Sequence, residues 1–165
     1  MVSIGLINPK SAVNVASILR ACGCFGASSV FYTGERFNHA QKFNADTQKM
    51  RQVIPTVGTD DILKMKPEGA VSIVVELVEG AIPLPQFEHP DNAYYIFGPE
   101  DGTVPVAVVE QCDHVVYIPT TNSLNLAATA NVVLYDRLAK SNYVASDDLI
   151  RTSRDTNNNV KLKSV

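Results

Sequence analysis

Residues 115–130 read Val115-Val116-Tyr117-Ile118-Pro119-Thr120-Thr121-Asn122-Ser123-Leu124-Asn125-Leu126-Ala127-Ala128-Thr129-Ala130. A β-branched run stops at a proline, crosses a short polar loop, and enters a helix of small and apolar residues. Ser123 is the expected N-cap, because its hydroxyl can accept the free amides of a first helical turn. Asn125 then falls inside that turn, where asparagine is not a favoured helix former. A polar pair opening an otherwise apolar helix marks a candidate site.

The same strand-then-helix grammar recurs upstream. Val2 to Ile7 reads as a buried strand, Asn8-Pro9-Lys10-Ser11 as a turn, and Ala12 to about Cys22 as a helix ended by Gly23 and Gly26. Ser28 to Tyr32 is a short strand, and Thr33 to about Met50 is polar and irregular. Asp60 to Met65 suits a short capped helix, and Val71 to Leu77 an apolar strand. Ala93 to Phe97 is another buried strand, followed by a helix over Pro105 to about Gln111, with proline in its first turn. His114 to Ile118 is the last strand and Ser123 to about Lys140 the last long helix. Strands alternating with helices predict an α/β layer fold with a mostly parallel sheet. The expected domain covers residues 1–145, and residues 146–165, with Asn157-Asn158-Asn159, form a polar, frayed tail.

Length and composition narrow the classes. A chain of 165 residues fits one domain, which buries roughly 70% of its unfolded surface. No apolar run approaches the ~20 residues that span a bilayer, and no basic-then-apolar leader follows Met1. Cys22, Cys24 and Cys112 form no C-x-x-C pair, so a reducing cytoplasm is expected. His39, His89 and His114 lack ligand spacing, which argues against a metal site. The net charge of −3 hides an asymmetry. Residues 1–59 hold six Lys and Arg against two acids, residues 60–150 four against fourteen, and residues 151–165 four against one. The two basic ends could supply a local phosphate-binding face; the plainer alternative is solvated surface charge.

Three segments could carry chemistry, each at the carboxyl end of an expected strand, where open α/β sheets place ligands. In the first, Asn14 and Arg20 share a helix that is otherwise small or apolar. Arg20 is either a surface residue snorkelling off a packed helix, which the helix pattern alone favours, or a phosphate ligand. Six residues at 100° each leave the two side chains about 120° apart, so one pocket in one chain need not use both. The second is Phe97-Gly98-Pro99-Glu100-Asp101-Gly102-Thr103, whose glycines let backbone approach a ligand. Taken alone it is a surface turn. Its two acids would repel a bare phosphate, and the chain has neither G-x-G-x-x-G nor G-x-x-x-x-G-K-[ST]. A Rossmann-type oxidoreductase is disfavoured accordingly. The third is the segment quoted above, for which a cap and core helix is the competing reading.

Together and in this order, the three resemble the motifs of the SpoU/TrmH group of SPOUT RNA methyltransferases, over about residues 2–140. Asn14 and Arg20 match the first motif, Gly98 and Glu100 the second, and Ser123, Leu124 and Asn125 the third. The resemblance implies a SPOUT-type α/β fold with a C-terminal trefoil knot, an obligate homodimer, and S-adenosylmethionine as cofactor. It also implies methyl transfer to a ribose 2′-hydroxyl of RNA; the lack of an added RNA-binding domain is similar to minimal members acting on the tRNA anticodon loop. Arg20, Asn14, Glu100, Ser123 and Asn125 become the expected catalytic set. Phe97, Gly98, Pro99, Glu100, Gly102, Ile118, Thr120, Ser123 and Leu124 become the cofactor set. RNA would be held by Arg20 and by Arg36, Lys42, Lys49 and Arg51.

Three features depart from the family pattern. Ala16 stands where the first motif has glycine, Thr103 where the second has its later glycine, and the loop from Pro119 to Ser123 is short. Ala16 and Thr103 motivate one alternative, a non-catalytic RNA-binding dimer of the same fold, and the short loop bears on cofactor affinity; a methyltransferase acting on rRNA is a further alternative. The small residues Ala12, Ala16, Ala21, Ala127, Ala128 and Ala130 suggest that the first and last helices form the dimer contact. In that arrangement Asn14 would reach the partner's site.

Overall fold

The computed structural model describes residues 1–40 and 53–162. Seven parallel strands form one sheet in the order β3-β2-β1-β6-β4-β7-β5. They are β1 (Val2–Leu6), β2 (Ser29–Tyr32), β3 (Thr56–Gly58), β4 (Val71–Val75), β5 (Ile82–Pro83), β6 (Ala93–Phe97) and β7 (His114–Tyr117). The described α-helices are α1 (Ala12–Phe25), α2 (Arg36–Ala40), α3 (Val106–Val109), α4 (Leu126–Ala139) and α5 (Asp147–Ser153).

The strand alternation explains the layering. Ala93, Tyr95 and Phe97 of β6 join a core with buried residues of α1 and α4, including Ile18, Leu19, Ala130 and Leu134. Tyr94 and Ile96 point to the other face, against Ile62, Val74 and Val104. Both faces of a parallel sheet are thus covered, and its central strands read as continuous apolar runs. Gly5 is glycine for a packing reason: a Cβ there would lie 2.7 Å from the Tyr94 hydroxyl, which donates to the Ile62 carbonyl.

Several boundaries differ from the sequence reading. Helix α1 passes Gly23 and ends at Phe25, where Gly26 takes the left-handed conformation (φ 73°) that closes helices. Helix α3 is a single turn after Pro105, shorter than expected. Residues 36–40, read as irregular, form α2. The tail read as frayed contains α5: Ser146 Oγ accepts from the Leu149 amide, Asp147 and Asp148 occupy the first turn, and Arg151 pairs with both. Cap, dipole and i,i+3/i,i+4 pairing together outweigh the polar composition.

The C-terminal half of α4 is tied to the segment before β6 by one directed chain. Arg137 donates to the Tyr95 hydroxyl, which donates to His89 Nδ1 (2.6 Å); His89 Nε2 donates to Asp136 (2.9 Å), which also pairs with Lys140. The His89 side chain is 4% exposed, and its neutral form satisfies every partner. Burial pushes its pKa below 6.5, with Lys140 and Arg137 adding to that fall against the opposing pull of Asp136. A base with a lowered folded-state pKa binds fewer protons folded than unfolded. Stability is therefore full above pH 6.5 and falls as pH drops below it. Thermal melts from pH 8 to 5.5 should show this decline, and His89→Phe should flatten that part of the profile.

Candidate functional site

The three sequence segments meet at the carboxyl edge of β1, β6 and β7, through one chain of side-chain hydrogen bonds. Ser11 caps α1, accepting from the Asn14 amide. Glu100, on the loop after β6, accepts from the amides of Lys10 (2.8 Å) and Ser11 (2.9 Å) and from Asn14 Nδ2 (2.9 Å). Asn14 Oδ1 in turn accepts from Asn125 Nδ2 (3.1 Å). The Glu100 carboxylate thus sits on the positive end of α1. Burial alone would push its pKa up, but the bonds from Asn14, Lys10 and Ser11 outweigh that and hold it below the usual 4.5.

One expectation is corrected here. Asn125, not Ser123, caps the last helix: its Oδ1 accepts from the Ala127 (2.9 Å) and Ala128 (3.2 Å) amides, and α4 begins at Leu126. Asparagine caps as well as serine, so the cap moves two residues on and leaves Ser123 in the loop. Asn14 is held by Glu100 and Asn125 of its own chain. Ala12, Ala21, Ala127 and Ala130 are buried where α1 packs on α4 within one chain, so their small size already has a use there.

A cavity of about 400 Å³ opens beside this junction. Phe97, Gly98, Pro99, Glu100, Gly102, Ile118, Thr120, Ser123 and Leu124, the nine residues the resemblance assigns to the cofactor, all line it, and so does Asn125. Val75, Glu76 and Leu77 at the end of β4, with Tyr117, Leu126 and Thr129, complete the wall and were not anticipated. Glu76 accepts from the Leu77 amide, and from the Thr103 hydroxyl (3.0 Å) and Val104 amide (3.1 Å). Thr103, a departure from the family pattern, thereby anchors the loop. A Cβ on Gly98 would stand 3.1 Å from both Glu76 Oε2 and the Val104 nitrogen. Gly98→Ala should shift this loop, cost about 1–3 kcal/mol, and weaken ligand binding at the cavity in calorimetry.

Arg20 is exposed on α1, does not line the cavity, and makes no hydrogen bond or ion pair with any described residue. Arg36 is engaged inside the chain: Nη1 donates to Asp101 (2.8 Å), while Nε and Nη2 donate to the Asn8 carbonyl. Asn8 has φ 45°, a left-handed conformation in the turn between β1 and α1. Arg36 thus straps that turn to the loop after β6. Lys42, Lys49 and Arg51 lie outside the described residues. Among those described, no group of three His, Cys, Asp or Glu could hold a metal, and no helix is long and apolar enough to cross a membrane.

Solved structures share this architecture. A TrmH/SpoU tRNA modifying enzyme from A. aeolicus is 20% identical with a TM-score of 0.73, over 84% of this chain and 74% of that one. A structure described by its 2-OH methylation of C/U34 on tRNA is 20% identical with a TM-score of 0.73, over 85% and 95%. An AdoMet-bound rRNA methyltransferase from Sinorhizobium meliloti is 19% identical with a TM-score of 0.68, over 84% and 56%. No curated protein matches the chain significantly. The model of the SpoU rRNA Methylase family matches residues 1–135, the span that holds all three segments and the cavity lined by the second and third. The chain therefore belongs to the SpoU rRNA Methylase family.

Proposed function

We propose that this protein is an S-adenosylmethionine-dependent RNA methyltransferase acting on a ribose 2′-hydroxyl, with tRNA as its RNA. The observation that carries the proposal is one cavity at the carboxyl edge of the sheet, lined by the second and third segments, which Asn14 of the first ties together as Glu100–Asn14–Asn125. The cavity suits the cofactor. Its volume of about 400 Å³ falls in the range of small-molecule sites. Phe97, Ile118, Leu124 and Leu126 offer apolar wall, Gly98 and Gly102 allow close backbone approach, and the Glu76 carboxylate favours a cation.

When bound, the cofactor supplies an electrophilic sulfonium methyl group. The chain must hold the ribose hydroxyl in line with it and let its proton leave. Glu100 is occupied in fixing the α1 N-terminus, so its role is to position Asn14 and the loop. Arg20 grips the phosphate next to the reacting ribose, through which the proton can depart. Asn125 and Ser123 set the loop that closes over the cofactor.

The homodimer and the C-terminal knot belong to the same proposal. Val13, Ser17 and Arg20 form an exposed stripe on α1, and Val132 and Tyr135 one on α4, the helix packed against it. A two-fold contact over these stripes would carry Arg20 of one protomer toward the cavity of the other, which suits its absence from its own. Tyr135→Glu should give a monomeric mass in light scattering. For the knot, support comes from the chain path: β6 lies between β1 and β4, β7 lies outside β4, and α4 then returns to α1.

Lys42, Lys49 and Arg51 are assigned to RNA. Reversing any one should weaken RNA binding and flatten the salt dependence by about one unit of log–log slope. Arg36→Glu should also loosen the turn at Asn8, so its melting temperature should fall. Filter binding across a salt series, with thermal melts, checks both. For the activity itself, the protein is incubated with labelled S-adenosylmethionine and total tRNA or rRNA, and the nucleosides are analysed by mass. A 2′-O-methylnucleoside in the tRNA supports the proposal. Label confined to rRNA corrects the substrate, a base-methylated product overturns the ribose assignment, and cofactor binding without any transfer favours the non-catalytic alternative.

A further inference from the structure

The charge of the cavity says more than its shape. Its lining contains two carboxylates, Glu76 and Glu100, and no Lys, Arg or His among the described residues. The two differ in how far their charge is already spent. Glu100 lies on the positive end of α1 and holds three N–H donors there. Glu76 also holds three donors, the Leu77 and Val104 amides and the Thr103 hydroxyl, but none comes from the first turn of a long helix and it has no cationic partner among the described residues. Lys10 and Arg36, the cations tied to the loop after β6, are both paired with Asp101. A carboxylate accepts at about four sites, so Glu76 retains capacity toward the cavity that its wall does not use.

We infer that Glu76 is a specificity-determining residue that makes the cavity prefer the positively charged methyl donor over its uncharged thioether product. This rests on the cofactor reading above. Methyl transfer breaks the S–CH₃ bond and leaves the electron pair on sulfur, so the ligand loses one positive charge in the step. An uncompensated carboxylate in a partly enclosed site attracts the ligand before that step and not after it, which favours release of the product. The end of β4 thereby does what neither of the other two loops does, since Glu100 serves the helix.

Calorimetry tests this with three probes: S-adenosylmethionine, S-adenosylhomocysteine, and sinefungin, which carries an amine in place of the sulfonium. The folded wild-type protein should bind the two cationic ligands about tenfold more tightly than the neutral one. Glu76→Gln, close in shape, should bring the three affinities to within about twofold of each other. Thr103→Val keeps the charge and loses one hydrogen bond, so it should weaken all three together and preserve the ratio. If Glu76→Gln weakens all three equally, Glu76 is only a brace for the loop and the inference is overturned. If none of the three binds the wild-type protein, the cofactor reading fails first and takes the inference with it. Should Glu76→Gln not fold, the wild-type salt dependence decides. Raising ionic strength must weaken the cationic ligands more than the neutral one, and equal dependence overturns the inference.

Discussion

Replacing Arg20 with alanine should lower methyl transfer by about two to three orders of magnitude while leaving cofactor affinity within about twofold. The side chain is exposed, lies off the cavity wall, and is bonded to nothing described in its own chain. Its removal therefore costs little stability, and the melting temperature should hold. What it costs is the grip on RNA phosphate and the alignment of the hydroxyl. Arg20→Lys should recover only part of the rate, because an ammonium lacks the planar fork that matches a phosphate. Single-turnover rates with saturating RNA, beside calorimetry with S-adenosylhomocysteine, separate these effects. A variant retaining half the wild-type rate would remove Arg20 from the reaction.

Glu100→Ala should act in the opposite manner, through the architecture. It strips acceptors from the Lys10 and Ser11 amides and from Asn14 Nδ2, and it frees Asn14 to move away from Asn125. The site is partly open to solvent, so the loss should be about 1–2 kcal/mol, seen as a lower melting temperature. Ligand affinity and rate should fall with it, because the same loop lines the cavity. The pH dependence has a defined sign. A carboxyl whose folded-state pKa is lowered stabilises the fold above its ordinary 4.5, and that contribution is lost as pH falls through the folded-state value. Melts of wild type and Glu100→Ala should therefore converge in strongly acidic buffer and diverge at neutral pH. Parallel profiles would contradict the role given to this carboxylate.

Much of this was legible in the chain. Apolar runs such as Ala93–Phe97 and Val71–Val75 announce strands because both faces of the sheet are covered, and strand-then-helix alternation gives the layers. All nine expected cofactor residues line one cavity because loops at the carboxyl ends of neighbouring parallel strands are brought together by the fold. Glu76 was missed for a related reason. Sequence places it at the end of a strand, but only the strand order puts β4 between β6 and β7 and so beside the other two loops. The N-cap was misplaced because serine and asparagine cap equally well, and only the Ala127 and Ala128 amides decide between them. Arg36 looked like a free cation since nothing in the sequence shows Asp101 waiting across the turn. Asn14 was offered to a partner chain because helical angles separate it from Arg20, whereas its ties to Glu100 and Asn125 are non-local.

The most direct test is a crystal structure of the protein with S-adenosylhomocysteine. The account predicts the ligand between residues 97–102 and residues 118–124, with Glu76 on the same wall and Arg20 of a second protomer facing it. Ligand bound elsewhere on the sheet edge, or a fully liganded monomer with Arg20 turned to solvent, would contradict it.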